Sequence, residues 1–290
     1  MSGANQDTTT ISLAYSVDAD DAFMFHALRT GALDTGPFRF VHSRAHTAAL
    51  NQLAVDAGAD VIAVSVGVYP AIAARYQMLP HGASVGRGFG PVVVARRPLA
   101  PHELAGLRVG IPGATTTAWM VLRLIAPGAI GVEIPISPFG AIFDALESGA
   151  VDAALLIHEG RMLYRERGLH LVVDLGEWWQ GAEGLPLPLG VNVIRRGLGG
   201  ARVAEVSSLL RASIAWALAH RRQIIDVISA EDRGDKALSD QTLIDKYLNL
   251  YANADTAAMA DDAKRAIDVL FARARAAGLL SAEVAVDWAP

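Results

Sequence analysis

Apolar runs of strand length alternate with segments whose apolar residues recur every three or four positions, and this alternation occupies the first two thirds of the chain. Residues 11–16 (ISLAYS) predict a strand, and residues 20–29 predict a helix with acidic residues in its first turn. The pattern continues with a strand at 38–42, a helix over 47–57, a strand at 61–66 after the Gly58-Ala59-Asp60 punctuation, and a helix over 71–79. A strand at 92–96 (VVVAR) closes this half, and the proline-marked segment 97–101 is the expected first crossover. Beyond it, strands are predicted at 107–111, 132–136, 151–157 and 169–175, with helices over 115–125 and 139–148. The Pro- and Gly-rich segment 184–190 is the expected return, before a strand at 191–195. From residue 201 the apolar spacing is helical, over 203–228, 240–250 and 256–277.

Two strand-helix units joined by two crossovers predict an α/β protein of two lobes, with mostly parallel sheets and a two-crossover hinge. Lobe 1 comprises residues 1–96 and 191–290, and lobe 2 residues 97–190. The length of 290 residues, above that of one compact domain, agrees. In such an architecture the ligand sits between the lobes, beside strand ends and helix N-termini.

Composition narrows the partners. Hydrophobic residues at 52% and charged residues at 19% exclude a disordered or fibrous chain. A net charge of −5 offers no basic field to a nucleic-acid backbone. The absence of cysteine excludes disulfides, thiolate zinc sites and cysteine nucleophiles. The polar segment 1–10 lacks the basic and apolar regions of a secretory signal, and no apolar stretch nears the roughly 20 residues of a membrane span. A cytoplasmic protein is expected, with neither nucleic acid nor membrane as partner.

His158 follows the apolar run 151–157 directly, at the strand end that faces the ligand crevice in α/β folds. An imidazole with a pKa near 6.5 is suited to take and return a proton there. A structural histidine at the strand end is the alternative, and Glu159 is expected either to orient the ring or to pair with Arg161. Gly113-Ala114-Thr115-Thr116-Thr117-Ala118 joins a strand to a helix, where hydroxyls and free backbone N–H groups favour a carboxylate; a helix cap would need a single threonine.

Other motifs weigh less. Gly82-Ala83-Ser84-Val85-Gly86 fits G-x-S-x-G, but its flanks are wrong for a nucleophile elbow, and residues 86–91 lead into a strand, unlike a dinucleotide fingerprint. His42 and His46 lack a third ligand at metal spacing and are expected on the surface; no metal is expected. Asp18, Asp20 and Asp21 are expected to cap the next helix, with a cation or hydroxyl partner as the alternative. Trp178 and Trp179 either wall a pocket or pack a lobe surface.

Taken together, several segments resemble the 1,4-dihydroxy-6-naphthoate synthase family of menaquinone biosynthesis. They are Leu13-Ala14-Tyr15-Ser16, Asp21 with Phe23 and Phe25-His26-Ala27-Leu28, Leu50-Asn51, Gly86-Arg87-Gly88 with Gly90-Pro91, and Ile111-Pro112-Gly113 with Thr116-Thr117-Ala118. Ile157-His158-Glu159, Asp174-Leu175-Gly176-Glu177-Trp178-Trp179, Leu185-Pro186 and Pro188-Leu189-Gly190 extend the match over most of the chain. The resemblance implies a periplasmic-binding-protein type II-like fold and a cofactor-independent lyase. That lyase converts cyclic dehypoxanthine futalosine to 1,4-dihydroxy-6-naphthoate, opening a fused ring and expelling the sugar-derived fragment. It implies His158 as the proton-abstracting base and Asn51, Ser65, Thr117 and Ala118 as contacts to a small carboxylate substrate. Thr116, Arg87 and Asp21, from the matched segments, complete the expected binding set. The chain departs from the family at residues 16–23: the usual Ser-Pro-Cys-Pro-Asn-Asp-Thr-Phe is Ser-Val-Asp-Ala-Asp-Asp-Ala-Phe, and Phe89 replaces a cysteine between glycines. A diverged paralogue or a solute-binding protein for a small aromatic or hydroxy acid is the competing expectation.

Overall fold

A computed structural model describes residues 8–136, 138–233 and 235–290. Its strands are β1 (Thr9–Tyr15), β2 (Phe38–Arg44), β3 (Val61–Ser65), β4 (Tyr76–Met78), β5 (Ser84–Gly86), β6 (Val92–Ala95), β7 (Arg108–Ile111), β8 (Ile130–Glu133), β9 (Ala153–Leu156), β10 (His170–Asp174) and β11 (Leu187–Arg195). The first sheet runs β2-β1-β3-β11-β4, with β5 also paired to β11, and the second runs β10-β6-β9-β7-β8. Each is mixed rather than mostly parallel. β1 is parallel to β2 and β3, but β11 returns from the second lobe antiparallel to β3, β4 and β5. In the second sheet β7 is parallel to β8 and β9, while β6 runs antiparallel to β9 and β10.

The strands of residues 61–66 and 151–157 read as apolar runs interrupted only by Ser65 and Asp152 because both their faces are covered: all of β3 and all of β9 are buried. Three expectations change. Residues 71–79 are not a helix. A short turn of helix, Tyr69–Ile72, gives way to β4, whose buried Tyr76 and Met78 flank half-buried Gln77 with the period of a strand. Strand β6 does not close the first half but pairs in the second sheet, so the chain changes sheets within residues 87–91 rather than at 97–101. Likewise residues 187–190 are the first part of β11, paired to β5, and the return lies between Asp174 and Leu187.

Where the two crossings meet, backbone packs on backbone. A Cβ on Gly176 would stand 1.9 Å from the Phe89 carbonyl oxygen, so glycine is the residue that fits. Helix Leu175–Glu183 is capped here by Asp174, whose Oδ1 accepts from the N–H groups of Gly176 (2.8 Å) and Glu177 (3.2 Å). Trp179 is buried and donates its Nε1–H to the Pro186 carbonyl (3.1 Å), while Trp178 packs at the rim of the same core.

The C-terminal helices Gly200–Ala219, Arg221–Ala230, Gln241–Tyr251 and Asp261–Ala276 complete the first lobe, with a break at His220 in the helix expected over 203–228. Val206, Leu210 and Ile214 bring the first of these onto Ile11, Leu13 and Val61 of the sheet. Among the described residues no helix is long and apolar enough to cross a membrane.

Candidate active site

A cavity of about 730 Å³, its open mouth included, lies between the two sheets and is lined from both lobes. The first sheet supplies one wall through register. Gly190 of β11 lies opposite Ser65 of β3 on one side and Ser84 of β5 on the other, so two hydroxyls flank a residue without a side chain. Helix Thr117–Ile125 and the end of β9 supply the other wall.

His158 stands at the end of β9 with φ +49, the left-handed region that is costly for a residue with a Cβ. Its ring is held at both nitrogens by the first lobe. Nε2 lies 3.2 Å from Asp18 Oδ2 and 3.1 Å from Thr47 Oγ1, and Nδ1 lies 3.3 Å from the Tyr247 hydroxyl. Burial is the largest influence on this imidazole and by itself disfavours charge. The carboxylates of Asp18, Asp20, Glu159 and Asp21 outweigh it, and the pKa lies above 6.5. Burial pushes the Tyr247 hydroxyl well above its usual value, so it stays protonated beside the ring.

The acidic triplet does not cap its helix. Asp18 holds the N-cap position of Ala19–Met24 without a side-chain cap bond, its carboxylate drawn to His158 instead. Asp20 accepts from the Ser84 hydroxyl (2.8 Å), and Asp21 accepts from the backbone N–H of Ser16 (2.7 Å). Burial raises both carboxyls, and the adjoining Asp20 helps to lift Asp21 to about 7. Ser84 thus serves as a hydrogen-bond donor to Asp20, and no helix follows it as an elbow would require. Glu159 pairs not with Arg161 but with Arg233 of the first lobe (2.6 Å), both side chains being buried. Arg161 is taken by Asp174 (2.9 Å) and the Gly90 carbonyl (2.6 Å).

On the facing wall Thr116 is the helix cap, its Oγ1 accepting from Trp119 N (3.3 Å) and donating to the Gly113 carbonyl (2.8 Å). Thr117 bridges the lobes, donating to the Leu189 carbonyl (2.8 Å) and accepting from Gly67 N (2.9 Å). The N–H groups of Thr117 and Ala118, at the first turn, lack acceptors within the helix and belong to residues that line the cavity. Asn51 is fully buried behind Ser65. Its Nδ2 donates to Ser65 Oγ and Thr115 Oγ1 (3.1 Å each), and its Oδ1 accepts from Ser65 N (2.9 Å).

Of the residues expected in the site, His158, Asp21, Ser65, Thr116, Thr117 and Ala118 line the cavity, and Asn51 supports it from behind. Arg87 does not reach it: its guanidinium forks between Asp255 (2.7 Å) and Asp262 (2.8 Å) and is 43% exposed. Neither Trp178 nor Trp179 is part of the lining. His42 is half-buried rather than fully on the surface; its ring nitrogens are enclosed, edge-on to Tyr15 at 5.8 Å. Thr47, Asn192 and Tyr247 line the cavity without a motif that marks them, since they come from three elements distant in sequence, and Ser84 joins them in a role its G-x-S-x-G pattern did not indicate. Among the described residues no cluster of three or more histidine or carboxylate side chains is placed to hold a metal ion.

The family profile described as menaquinone biosynthesis matches residues 11–276. A 1,4-dihydroxy-6-naphthoate synthase of Thermus thermophilus is 38% identical over 270 residues, covering 93% of this chain and 95% of its own. One of Streptomyces coelicolor is 37% identical over 279 residues, covering 94% and 95%. The crystal structure of a protein from Archaeoglobus fulgidus superposes with a TM-score of 0.86 at 36% identity, over 96% of this chain and all of that one. The alkanesulfonate-binding protein of Xanthomonas axonopodis superposes at 0.72 with 13% identity over 96% of each chain, which speaks for a periplasmic-binding-protein fold alone. With a profile match across nearly the whole chain and relatives this similar, the chain belongs to the menaquinone-biosynthesis family.

Proposed function

We propose that the chain catalyses the formation of 1,4-dihydroxy-6-naphthoate from cyclic dehypoxanthine futalosine, as a cofactor-independent lyase with His158 as general base. A cytoplasmic location and a small carboxylate ligand belong to the same proposal. The observation that carries it is an imidazole at a strand end in the interlobe cavity, gripped at both nitrogens, in a chain 38% and 37% identical to two synthases of that name.

The chemistry follows from the neighbours of the ring. Asp18 accepts from Nε2–H of the neutral imidazole, which leaves the lone pair on Nδ1, where it accepts from the Tyr247 hydroxyl until the substrate's proton takes that place. A proton taken from the substrate makes an imidazolium, which Asp18, Asp20, Glu159 and Asp21 stabilise. The same groups make the ring a stronger base than free histidine. The substrate carboxylate is matched to the first turn of helix Thr117–Ile125 and to Ser65. Closure of the lobes keeps water from the carbanion or enolate that proton removal creates.

The purified protein is expected to convert cyclic dehypoxanthine futalosine to the naphthoate, followed by mass spectrometry. His158→Asn is expected to fold, since asparagine tolerates a left-handed backbone, and to bind substrate while losing about 10²-fold or more in turnover. Full turnover by this variant would remove His158 from the role. Tight binding without turnover by the wild type would favour a receptor or a diverged paralogue.

A further inference from the structure

Two buried polar side chains of the cavity are not among the groups bonded to the imidazole. Asn192, on β11, is 1% exposed, and neither its Oδ1 nor its Nδ2 has a partner among the described residues. Asp20 is 6% exposed; one carboxyl oxygen accepts from Ser84, and Oδ1 has no partner among the described residues. Both line the cavity. A buried amide left unpaired at both ends is costly, and folds retain one where another molecule completes its bonds.

The surroundings of Asn192 favour a ligand over an accident of packing. Its neighbours in the strand, Val191 and Val193, are apolar and buried, so an aliphatic residue at 192 would carry no such cost. The loop facing it is shaped to admit the amide. Gly82 adopts φ +77, and a Cβ there would stand 2.0 Å from Asn192 Nδ2.

The chemistry selects the kind of group. An amide offers a donor and an acceptor, and Asp20 adds a carboxyl oxygen, with no cation among these three side chains. A carboxylate has no hydrogen to give Asp20 Oδ1 or Asn192 Oδ1, whereas a hydroxyl satisfies donor and acceptor together and a carbonyl oxygen meets the Asn192 Nδ2 donor. The anionic end of the ligand is matched to the helix N-terminus instead. We propose that Asn192, Asp20 and Ser84 form a subsite for the hydroxyl or carbonyl oxygens of the ligand, so that the cavity reads a neutral oxygen-bearing end and an acidic end separately. This rests on the synthase reading, whose product carries two hydroxyls on the ring remote from its carboxylate.

The test is anaerobic calorimetric titration with 1,4-dihydroxy-6-naphthoate and with naphthalene-2-carboxylate, the same ring acid without hydroxyls. Wild type is expected to prefer the dihydroxy acid by about 10-fold or more, as for two or three added hydrogen bonds. In Asn192→Leu, and separately in Ser84→Ala, that preference should fall to within about threefold while the affinity for the bare acid stays within about twofold. An unchanged preference in both variants, or an equal loss of affinity for the two ligands, would overturn the subsite. Equal binding of the two acids by wild type would overturn the subsite and leave the synthase reading standing. Binding of neither acid, together with no turnover of the futalosine substrate, would overturn both.

Discussion

At His158 three neighbours decide what one ring can do. Tyr247 and Thr47 fix its orientation, and Asp18 adds the charge that makes proton capture more favourable. The sign of the pH effect follows. Activity by a general base needs the neutral ring, so kcat/KM should fall as pH drops through a pKa above 6.5. Asp18→Asn keeps the shape and removes a charge that raises this pKa, so the acid limb should move to lower pH. The plateau rate should also drop, by about 10-fold, as the ring becomes a weaker base. A pH–rate profile of the two proteins checks both; an acid limb that stays in place would show that Asp18 is not coupled to the base.

At the scale of elements, the site depends on a few close contacts between backbone segments. Strand β11 carries Gly190 and Asn192 into the cavity, and its entry is held by helix Leu175–Glu183 against the first crossing. Because a Cβ on Gly176 would overlap the Phe89 carbonyl, Gly176→Ala should force the two crossings apart. A cost of about 1–3 kcal/mol is expected, read as a lower urea midpoint with an unchanged slope. A midpoint equal to the wild type would mean that the crossings separate without strain. Alternation in residues 76–78 was visible as apolar-polar-apolar, yet three residues are too few to separate a strand from the end of a helix until a partner strand is known.

At the scale of the molecule, the lobes are joined through the site itself. The ring on the second lobe is held by Asp18, Thr47 and Tyr247 of the first, Thr117 bonds across to Leu189 and Gly67, and Glu159 meets Arg233 in a buried pair. Burying both charges has a large desolvation cost, and breaking such a pair inside one rigid unit costs about 3–5 kcal/mol. Between two hinged lobes there is a cheaper response: the cleft opens and water reaches Glu159. Arg233→Met should therefore lower kcat/KM by about 10-fold or more, enlarge the radius of gyration in small-angle scattering of the unliganded protein, and shift the melting temperature by only a few degrees. A large fall in melting temperature with unchanged dimensions would show that the pair is needed for folding rather than for closure.

Local pattern was enough to reveal the two-lobed α/β architecture and most of its elements, because strand and helix periods are properties of neighbouring residues. It also marked the Thr116–Ala118 turn and His158, whose places at a helix start and a strand end depend on sequence alone. The crossings, the antiparallel course of β11 and the pairing of β6 were not legible, because sheet membership is set by which strands come to lie side by side. For the same reason the helix-cap pattern of Asp18, Asp20 and Asp21 misled: their carboxylates went to His158, Ser84 and Ser16, of which only Ser16 is near in sequence. Glu159 and Arg233 stand 74 residues apart, and Asn192 becomes a polar exception only once its strand neighbours are seen to be buried. What the order of residues determined is the set of elements and the chemical groups at their ends. What the tertiary structure decided is which of those groups meet, since the free energy of a buried charge or amide depends on partners that only the folded chain brings within reach.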